Sequence, residues 1–239
     1  MAVNGRLNPS TCAARNQQRS HNLQELRNVQ MEIATRVIQR DFLERPIQRV
    51  TGFDVAYEND EAVVAAVTVD YETLVVKEEK TSTEHVSFPY IATFLSFREG
   101  PLIIKLASKL SLEPDILMVN AHGVAHPFFC GCACYVGVSV NKPTIGVAGS
   151  KLCGDYDAEP GKEGEWTPII YNARTVGAVL LSRQGSKPIF VSVGHMMTLG
   201  SAVKTVNHFV TEHRFPEPLR LAHVLANRVR RKRKIDQSF

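Results

Sequence analysis

Several features are scarce or missing in this chain of 239 residues, and each absence excludes a class of protein. No apolar run approaches the roughly 18–20 residues that a membrane-spanning helix needs. The basic N-terminal stretch lacks the apolar centre of a secretory signal. Five cysteines make an odd number, and none forms a CxxC pair, which argues against a secreted disulfide framework or a zinc ribbon. We therefore expect a globular, monomeric protein of the cytoplasm.

Three of the five cysteines alternate, at Cys130, Cys132 and Cys134. In a strand they would share one face, whereas in a helix they would spread over about 200°. A zinc or redox cluster is one interpretation. The pattern favours the other, that of small buried packing residues in a reducing compartment.

The basic residues are concentrated at one end of the chain. Residues 228–234 hold six of the 28 basic residues and no acidic one. The remaining 22 basic residues are fewer than the 24 acidic residues, so the body of the protein is nearly neutral. Such a run can bind phosphates, serve as a nuclear address, or be only a solvated helix end.

Apolar spacing predicts one α/β domain with a mixed sheet. Residues 1–22 are polar and are expected to form a flexible extension, and residues 23–42 have helical spacing. Three β-rich runs with short polar turns between them predict antiparallel neighbours, at 49–57, 62–70 and 73–80. The domain is predicted to span 23–227, followed by a basic tail at 228–239.

Helices and strands alternate in the second half of the chain, which is typical of βα units. The predicted helices lie at about 101–111, 198–213 and 217–233, and the predicted strands at 115–119, 144–148, 176–182 and 188–193. Three antiparallel strands followed by such units describe a mixed sheet flanked by helices.

Two carboxylates stand out in apolar surroundings. Asp54 lies inside a strand, where an acid needs hydrogen bonds or a cation, unless it caps the next turn. Gly52, two residues earlier, would let a ligand or a backbone approach closely. Pro101 predicts that Glu99 lies at a helix N-terminus, where the helix dipole favours a carboxylate with or without metal.

Polar residues also follow two later strands. Asn120, His122 and His126 cluster where an α/β sheet exposes its carboxyl ends, although a loop of satisfied polar groups is the simpler interpretation. His195 ends a strand at a turn, and Thr198 can cap the helix that follows. His195 can act as a general acid or base, or can merely cap.

Six blocks taken together are specific, and their order along the chain resembles that of endonuclease V. The blocks are GFDVAY (52–57), PYIATFLSFREGP (89–101), DILMVNAHGVAHP (115–127), PTIGVAGSKLCG (143–154), VSVGHMMTL (191–199) and PEPLRLAH (216–223). The resemblance covers residues from about 50 to 225. It implies a ribonuclease-H-like fold and an enzyme that cuts nucleic acid beside deaminated bases.

The resemblance also implies a set of site residues. Asp54 and Glu99 match acidic ligands of Mg²⁺ or Mn²⁺, and His195 matches a late histidine of the family. Tyr90 matches an aromatic residue that opens the duplex. Gly123 and its neighbours Ala121 and His122 match the loop that approaches the extruded hypoxanthine, a base that is cheap to unpair.

Several positions depart from the pattern of the family. Asn120 stands where the family has Asp, and an amide brings no charge to a metal. Ala121 replaces a glycine, and Gly149 replaces a lysine that Lys151 could partly restore. Further departures are Ala92, Phe128 and Met196. The leading hypothesis is a Mg²⁺-dependent endonuclease that cleaves DNA or RNA on the 3′ side of inosine, with Asn120 as a neutral third ligand. The alternative is a weakened or inactive nucleic-acid-binding homologue.

Overall fold

The computed structural model describes residues 9–42 and 46–236, with side chains from residue 23 to residue 234. The helices are α1 (Pro9–Arg36), α2 (Leu95–Ala107), α3 (Cys132–Val140), α4 (Leu199–His208) and α5 (Glu217–Asp236). The strands are β1 (Arg49–Glu58), β2 (Glu61–Asp70), β3 (Val76–His85), β4 (Ile116–Val119), β5 (Thr144–Ala148), β6 (Trp166–Tyr171), β7 (Arg174–Leu180) and β8 (Ile189–His195). They form one sheet of order β3-β2-β1-β4-β5-β8-β7-β6.

The first three strands are antiparallel neighbours, as predicted. β1 pairs with β2 along its whole length, from Arg49 opposite Asp70 to Glu58 opposite Glu61. The turn between them passes through Asn59, whose φ of 52° is tolerated by asparagine. β3 then pairs antiparallel with β2. Short polar turns between β-rich runs were therefore sufficient to predict this half of the sheet.

The centre of the sheet is parallel, and this gives the molecule two distinct edges. β1, β4 and β5 run parallel, with Phe53 opposite Val119. We call the edge at which β4 and β5 end the carboxyl edge, with Asp54 and Asn120. The edge at which β1, β4 and β5 begin is the amino edge. β8 is antiparallel and pairs His195 with Thr144, so His195 lies at the amino edge.

Helices cover both faces of the sheet because strand side chains alternate. Phe53, Leu117 and Val119 pack with Ile103 and Leu106 of α2 on one face. Side chains of the opposite parity, including Val50 and Met118, belong to the core cluster of α4 and α5 on the other face. The carboxyl edge therefore lies between α2 on one side and α5 on the other.

Several secondary-structure predictions need correction: α4 ends at His208 rather than at 213, and the helix α3 was not predicted. The first predicted helix ends at Arg36 rather than at 42. The helix α2 begins at Leu95, so Pro101 lies inside it; the lost hydrogen bond is offset by burial of Ile103 and Leu106. β3 begins at Val76. β6 was missed because Pro168 argues against a strand, but an edge strand tolerates proline.

The alternating cysteines lie at the beginning of α3 and are packing residues. Cys130, Cys132 and Cys134 are all buried and free. Burial raises the pKa of the Cys130 thiol to about 12 and also raises those of Cys132 and Cys134. The interpretation as buried packing residues is confirmed, in a helical rather than a strand setting. The buried thiols are consequently protonated and unreactive.

The two ends of the chain extend the terminal helices. α1 begins at Pro9, inside the segment predicted to be a flexible extension, and residues 1–8 lie outside the described residues. The basic residues 228–234 continue α5 rather than leaving the domain. In the described part of the chain, no helix is long and apolar enough to cross a membrane.

Candidate active site at the carboxyl edge

Asp54 lies at the centre of the polar groups on the carboxyl edge. Its side chain is 7% exposed and faces α5. Asn120 Nδ2 donates to Asp54 Oδ1 at 2.6 Å, and His223 Nδ1 lies 2.8 Å from Asp54 Oδ2. Both partners are side chains that come from other elements, Asn120 from the end of β4 and His223 from α5. A buried carboxylate held only by side chains can exchange them for a ligand.

Gly52 explains how α5 reaches this edge. A Cβ atom added at Gly52 would lie 2.3 Å from the carbonyl carbon of Pro218. Only glycine lets the first turn of α5 approach the β1 backbone so closely. His223 follows about one and a half turns later and so reaches Asp54. The predicted close approach at Gly52 is therefore that of backbone.

Glu99 approaches the same edge from the other face of the sheet. It lies in the second turn of α2, not at the N-terminus predicted from Pro101. The Tyr57 hydroxyl donates to Glu99 Oε1 at 3.1 Å. Burial raises the Glu99 pKa to about 7, the charge of Asp54 raises it as well, and the Tyr57 hydrogen bond opposes both. The two carboxylates thus repel each other in a poorly solvated place.

This donor set fits a hard divalent cation. Carboxylate and amide oxygens are the ligands that Mg²⁺ takes, and a cation between Asp54 and Glu99 would offset their repulsion. The residues that the structure describes contain no cluster of three or more His, Cys, Asp or Glu side chains arranged around a metal position. The third neighbour is the neutral Asn120, so the set fits a site of reduced charge.

A pocket of about 170 Å³ lies on the α2 face and reaches Ala121, the residue after Asn120; Asp54 and Glu99 are not among its lining residues. Its lining includes Tyr90, Ala121, His122 and Lys151. His122 Nδ1 is buried and has no hydrogen-bond partner. Burial lowers the pKa of His122 to about 4, so its ring is neutral at physiological pH. An unpartnered ring nitrogen at the pocket is a group that a planar polar ligand could satisfy.

The pocket loop is fixed by close backbone packing. A Cβ atom at Gly123 would lie 2.1 Å from the Val193 carbonyl oxygen, and one at Gly146 would lie 2.5 Å from the Gly123 nitrogen. The Gly123 amide donates to Ser192 Oγ at 2.8 Å. Gly123 therefore holds the loop against β5 and β8, while its neighbours Ala121 and His122 line the pocket.

Helix α1 holds the other wall of the pocket. Gln30 Nε2 donates to the Thr93 carbonyl at 2.7 Å and to the Cys130 carbonyl at 3.3 Å. The Arg27 guanidinium lies 3.6 Å from the centroid of the Phe128 ring. These contacts join α1 to both loops of the pocket. Tyr90, on the loop before α2, remains 72% exposed and free to contact a ligand.

The structure does not bring His195 or Lys151 to the carboxylates. His195 lies at the amino edge, where its Nδ1 accepts from the Ile38 amide at 3.3 Å. The prediction that His195 lies beside Asp54 is therefore wrong, because the two residues lie at opposite edges of the sheet. The Lys151 ammonium pairs with Asp155 at 3.0 Å on an exposed loop, so Lys151 lines the pocket instead of contacting Asp54.

Sequence reasoning missed two residues of the site, His223 and Tyr57. His223 ends the PEPLRLAH block. That block could have located it, because Pro218 marks the first turn of α5 and so places His223 on that helix. Tyr57 lies in the GFDVAY block, three residues after Asp54. Three residues apart, the two side chains point to opposite faces of β1, which is why Tyr57 reaches Glu99 on α2.

The fold and this edge define a class of protein. A mixed sheet of this order, with buried carboxylates where the parallel strands end, is a ribonuclease-H-like domain. The endonuclease V family model matches residues 31–224. The chain belongs to the endonuclease V family, and it is a nuclease by that membership.

Individual relatives agree with this assignment. Endonuclease V of Roseiflexus castenholzii is 40% identical over 208 residues, which cover 87% of this chain and 93% of the relative. The crystal structure of endonuclease V from Streptomyces avermitilis is similar with a TM-score of 0.82 at 37% identity, covering 88% and 94% of the two chains. Endonuclease V of Ciona intestinalis, in complex with a 24mer DNA that contains an inosine followed by a ribo-adenosine, gives 0.78 at 28% identity, covering 89% and 99%.

Proposed function

We propose that this protein is a divalent-metal-dependent endonuclease that hydrolyses a phosphodiester bond on the 3′ side of inosine in DNA or RNA. One observation carries the proposal. The buried Asp54 and the half-buried Glu99 lie at the sheet edge where Asn120 leads into the 121–123 loop, and that loop lines a pocket that contains an unpartnered polar atom of His122. A hydrolytic centre and a recognition pocket are what a base-specific nuclease needs side by side.

The substrate class is supported by the pocket and by the Ciona relative, whose complex contains an inosine. Inosine pairs weakly, so its unstacking costs little. The exposed Tyr90 ring is placed at the mouth of the pocket, where it can stack on the strand that the base leaves. His122 and the backbone of the 121–123 loop would then contact the hypoxanthine edge.

Asp54 and Glu99 would hold the metal, Mg²⁺ or Mn²⁺, with the amide oxygen of Asn120 as a neutral third ligand. A divalent cation supplies an activated water and neutralises charge on the phosphate oxygens. Two further side chains orient these ligands. Tyr57 orients Glu99, and His223 orients Asp54 through the 2.8 Å contact. In the structure the Asn120 amide instead donates to Asp54, so it must rotate to present its oxygen.

Single-turnover cleavage tests this function. Strands that contain inosine, single and double, deoxy and ribo, are incubated with Mg²⁺ and then with Mn²⁺, beside strands with adenosine at the same position. We expect the inosine strands to be cut at a phosphodiester bond on the 3′ side of inosine and at no other bond. Without metal we expect no cleavage. The DNA and RNA arms establish which strand is preferred.

Asn120→Asp is the informative companion variant because it restores a third carboxylate. We expect it to cleave faster than the wild type at low metal concentration. A folded wild type and a folded Asn120→Asp that both leave every inosine strand intact would contradict the proposal. Equal cutting of the inosine and adenosine strands would contradict the assignment of the pocket.

A further inference from the structure

The basic end of α5, residues 228–234, contains six basic side chains of two kinds, four that contact the sheet and two that do not. Among the four, Arg230 donates from Nη1 to the Tyr57 carbonyl at 3.3 Å. The other three are paired with glutamates of the sheet: Arg228 with Glu79 at 3.2 Å, Arg233 with Glu61 at 2.7 Å, and Lys234 with Glu58 at 3.7 Å. These pairs dock the end of the helix on β1, β2 and β3. These three glutamates largely neutralise the charges of their basic partners.

Arg231 and Lys232 belong to the other kind. Both are exposed, and within the described residues neither forms an ion pair or a hydrogen bond. Arg231 lies four residues after Asn227 and eight after His223, so the three share one face of α5. His223 contacts Asp54, and Arg231 lies about 12 Å further along the helix.

The three parts of the site lie in a row across the carboxyl edge. The pocket opens on the α2 face, Asp54 and Glu99 meet at the edge, and α5 covers the opposite face. A strand whose base occupies the pocket and whose phosphate lies over the carboxylates therefore continues towards α5. The exposed face of α5 then presents His223, Asn227 and Arg231 in succession.

We propose that Arg231 and Lys232 bind backbone phosphates of the substrate strand on the 3′ side of the inosine. The direction rests on the proposed function, since cleavage 3′ to inosine puts the following nucleotides beyond the carboxylates. Stacked nucleotides rise about 3.4 Å each, so Arg231 lies roughly three to four nucleotides beyond Asp54. The contacts are charge contacts, and they carry no base preference.

Salt dependence measures such contacts directly. Each phosphate contact on a single strand adds about 0.7 to the slope of log affinity against log salt. The variant Arg231→Gln/Lys232→Gln should therefore bind with a slope shallower by about 1.4. Both side chains are exposed and glutamine is a good helix former, so α5 is expected to stay folded.

The experiment follows the anisotropy of fluorescent single strands in EDTA, over a series of salt concentrations. One strand carries inosine near its 5′ end and so extends on the 3′ side; the other carries inosine near its 3′ end. We expect the variant to lose slope on the first strand and to match the wild type on the second. Its preference for inosine over adenosine should be unchanged.

The matched control is Lys109→Gln/Lys204→Gln, which removes two exposed positive charges that lie elsewhere and that, among the described residues, form no ion pair either. It should keep the wild-type slope on both strands. A double α5 variant with the wild-type slope on the 3′-extended strand would overturn the inference, and so would an equal loss on both strands. Either result can coexist with cleavage by the wild type, which keeps the two proposals separable. A wild type that binds neither strand overturns this inference, while the cleavage assay with metal decides the proposed function separately.

Discussion

The two edges of the central sheet both carry buried polar groups, but they use them differently. At the amino edge, the buried Asp115 accepts the backbone amides of Gln48 and Arg49, each at 2.9 Å. At the carboxyl edge, Asp54 and Glu99 are held by side chains alone, among those contacts that the structure describes.

This difference separates architecture from function. A carboxylate that accepts backbone amides is fixed by the chain itself and satisfies donors that water cannot reach. A carboxylate held by movable side chains can release them to a ligand. The lesson is that the identity of the hydrogen-bond partner, more than burial, distinguishes the residues of the active site in this fold.

The largest expected effect comes from changing one acid at each edge. Asp54→Asn should slow cleavage by on the order of 10³-fold and leave the free energy of unfolding nearly unchanged. Asp115→Ala should lower the free energy of unfolding by about 2–5 kcal/mol, because two backbone amides lose their acceptor. The rate per folded molecule should remain that of the wild type. Urea unfolding measures the stability of the two variants, and single-turnover cleavage measures their rates. Loss of cleavage in Asp115→Ala together with loss of stability in Asp54→Asn would contradict the comparison.

A second pair compares the two histidines, one at each edge. His223→Ala should slow cleavage by about 10- to 100-fold because Asp54 loses its orienting partner, with a change in stability below about 1 kcal/mol. His195→Ala should lower the free energy of unfolding by about 2–4 kcal/mol, since it is buried and accepts the Ile38 amide. If His195→Ala abolished cleavage while staying folded, the result would support the catalytic role that the resemblance implies for His195.

A third prediction concerns pH and the wall of the pocket. Burial lowers the pKa of His126 from 6.5 to about 4. Between pH 6.5 and about pH 4, this side chain therefore binds a proton in the unfolded chain but not in the folded chain. Stability from His126 is therefore fully present above pH 6.5 and is lost as the pH falls towards 4. Between pH 7.5 and pH 5 the wild type should lose about 1–2 kcal/mol more than His126→Gln.

Urea unfolding at the two pH values measures this difference. His126→Gln is the matched control because its side chain is neutral throughout and keeps an N–H donor. Identical pH dependence of the two proteins would mean that His126 is protonated in the folded state.

The smallest expected effect is at Lys151. Its pair with Asp155 is exposed, so Lys151→Gln should change stability by less than about 1 kcal/mol. Since Lys151 does not contact Asp54, cleavage at saturating substrate should change by less than about threefold. A loss comparable with that of Asp54→Asn would show that Lys151 does replace the missing lysine of the family.

The sequence was informative where local rules decide the structure. The β-rich runs and the short polar turn at Asn59 predicted the antiparallel half, and Thr198 caps α4 as expected. The positions of Asp54 and Glu99 at one edge followed from the resemblance. His195 was misplaced because β8 runs antiparallel to β5, and strand direction depends on pairing that no local pattern specifies. His223 was missed because its contact with Asp54 joins residues 169 positions apart.

The measurement that tests the central claim most directly is calorimetric titration of Mn²⁺ into four proteins: the wild type, Asp54→Asn, Asn120→Asp and Asp115→Asn. We expect the wild type to bind Mn²⁺ and Asp54→Asn not to bind it. Asn120→Asp should bind at least about tenfold more tightly, because a third charge joins the site, and Asp115→Asn should bind like the wild type. Binding by Asp54→Asn with the affinity of the wild type would contradict the account, because the metal would then lie elsewhere than at the carboxyl edge.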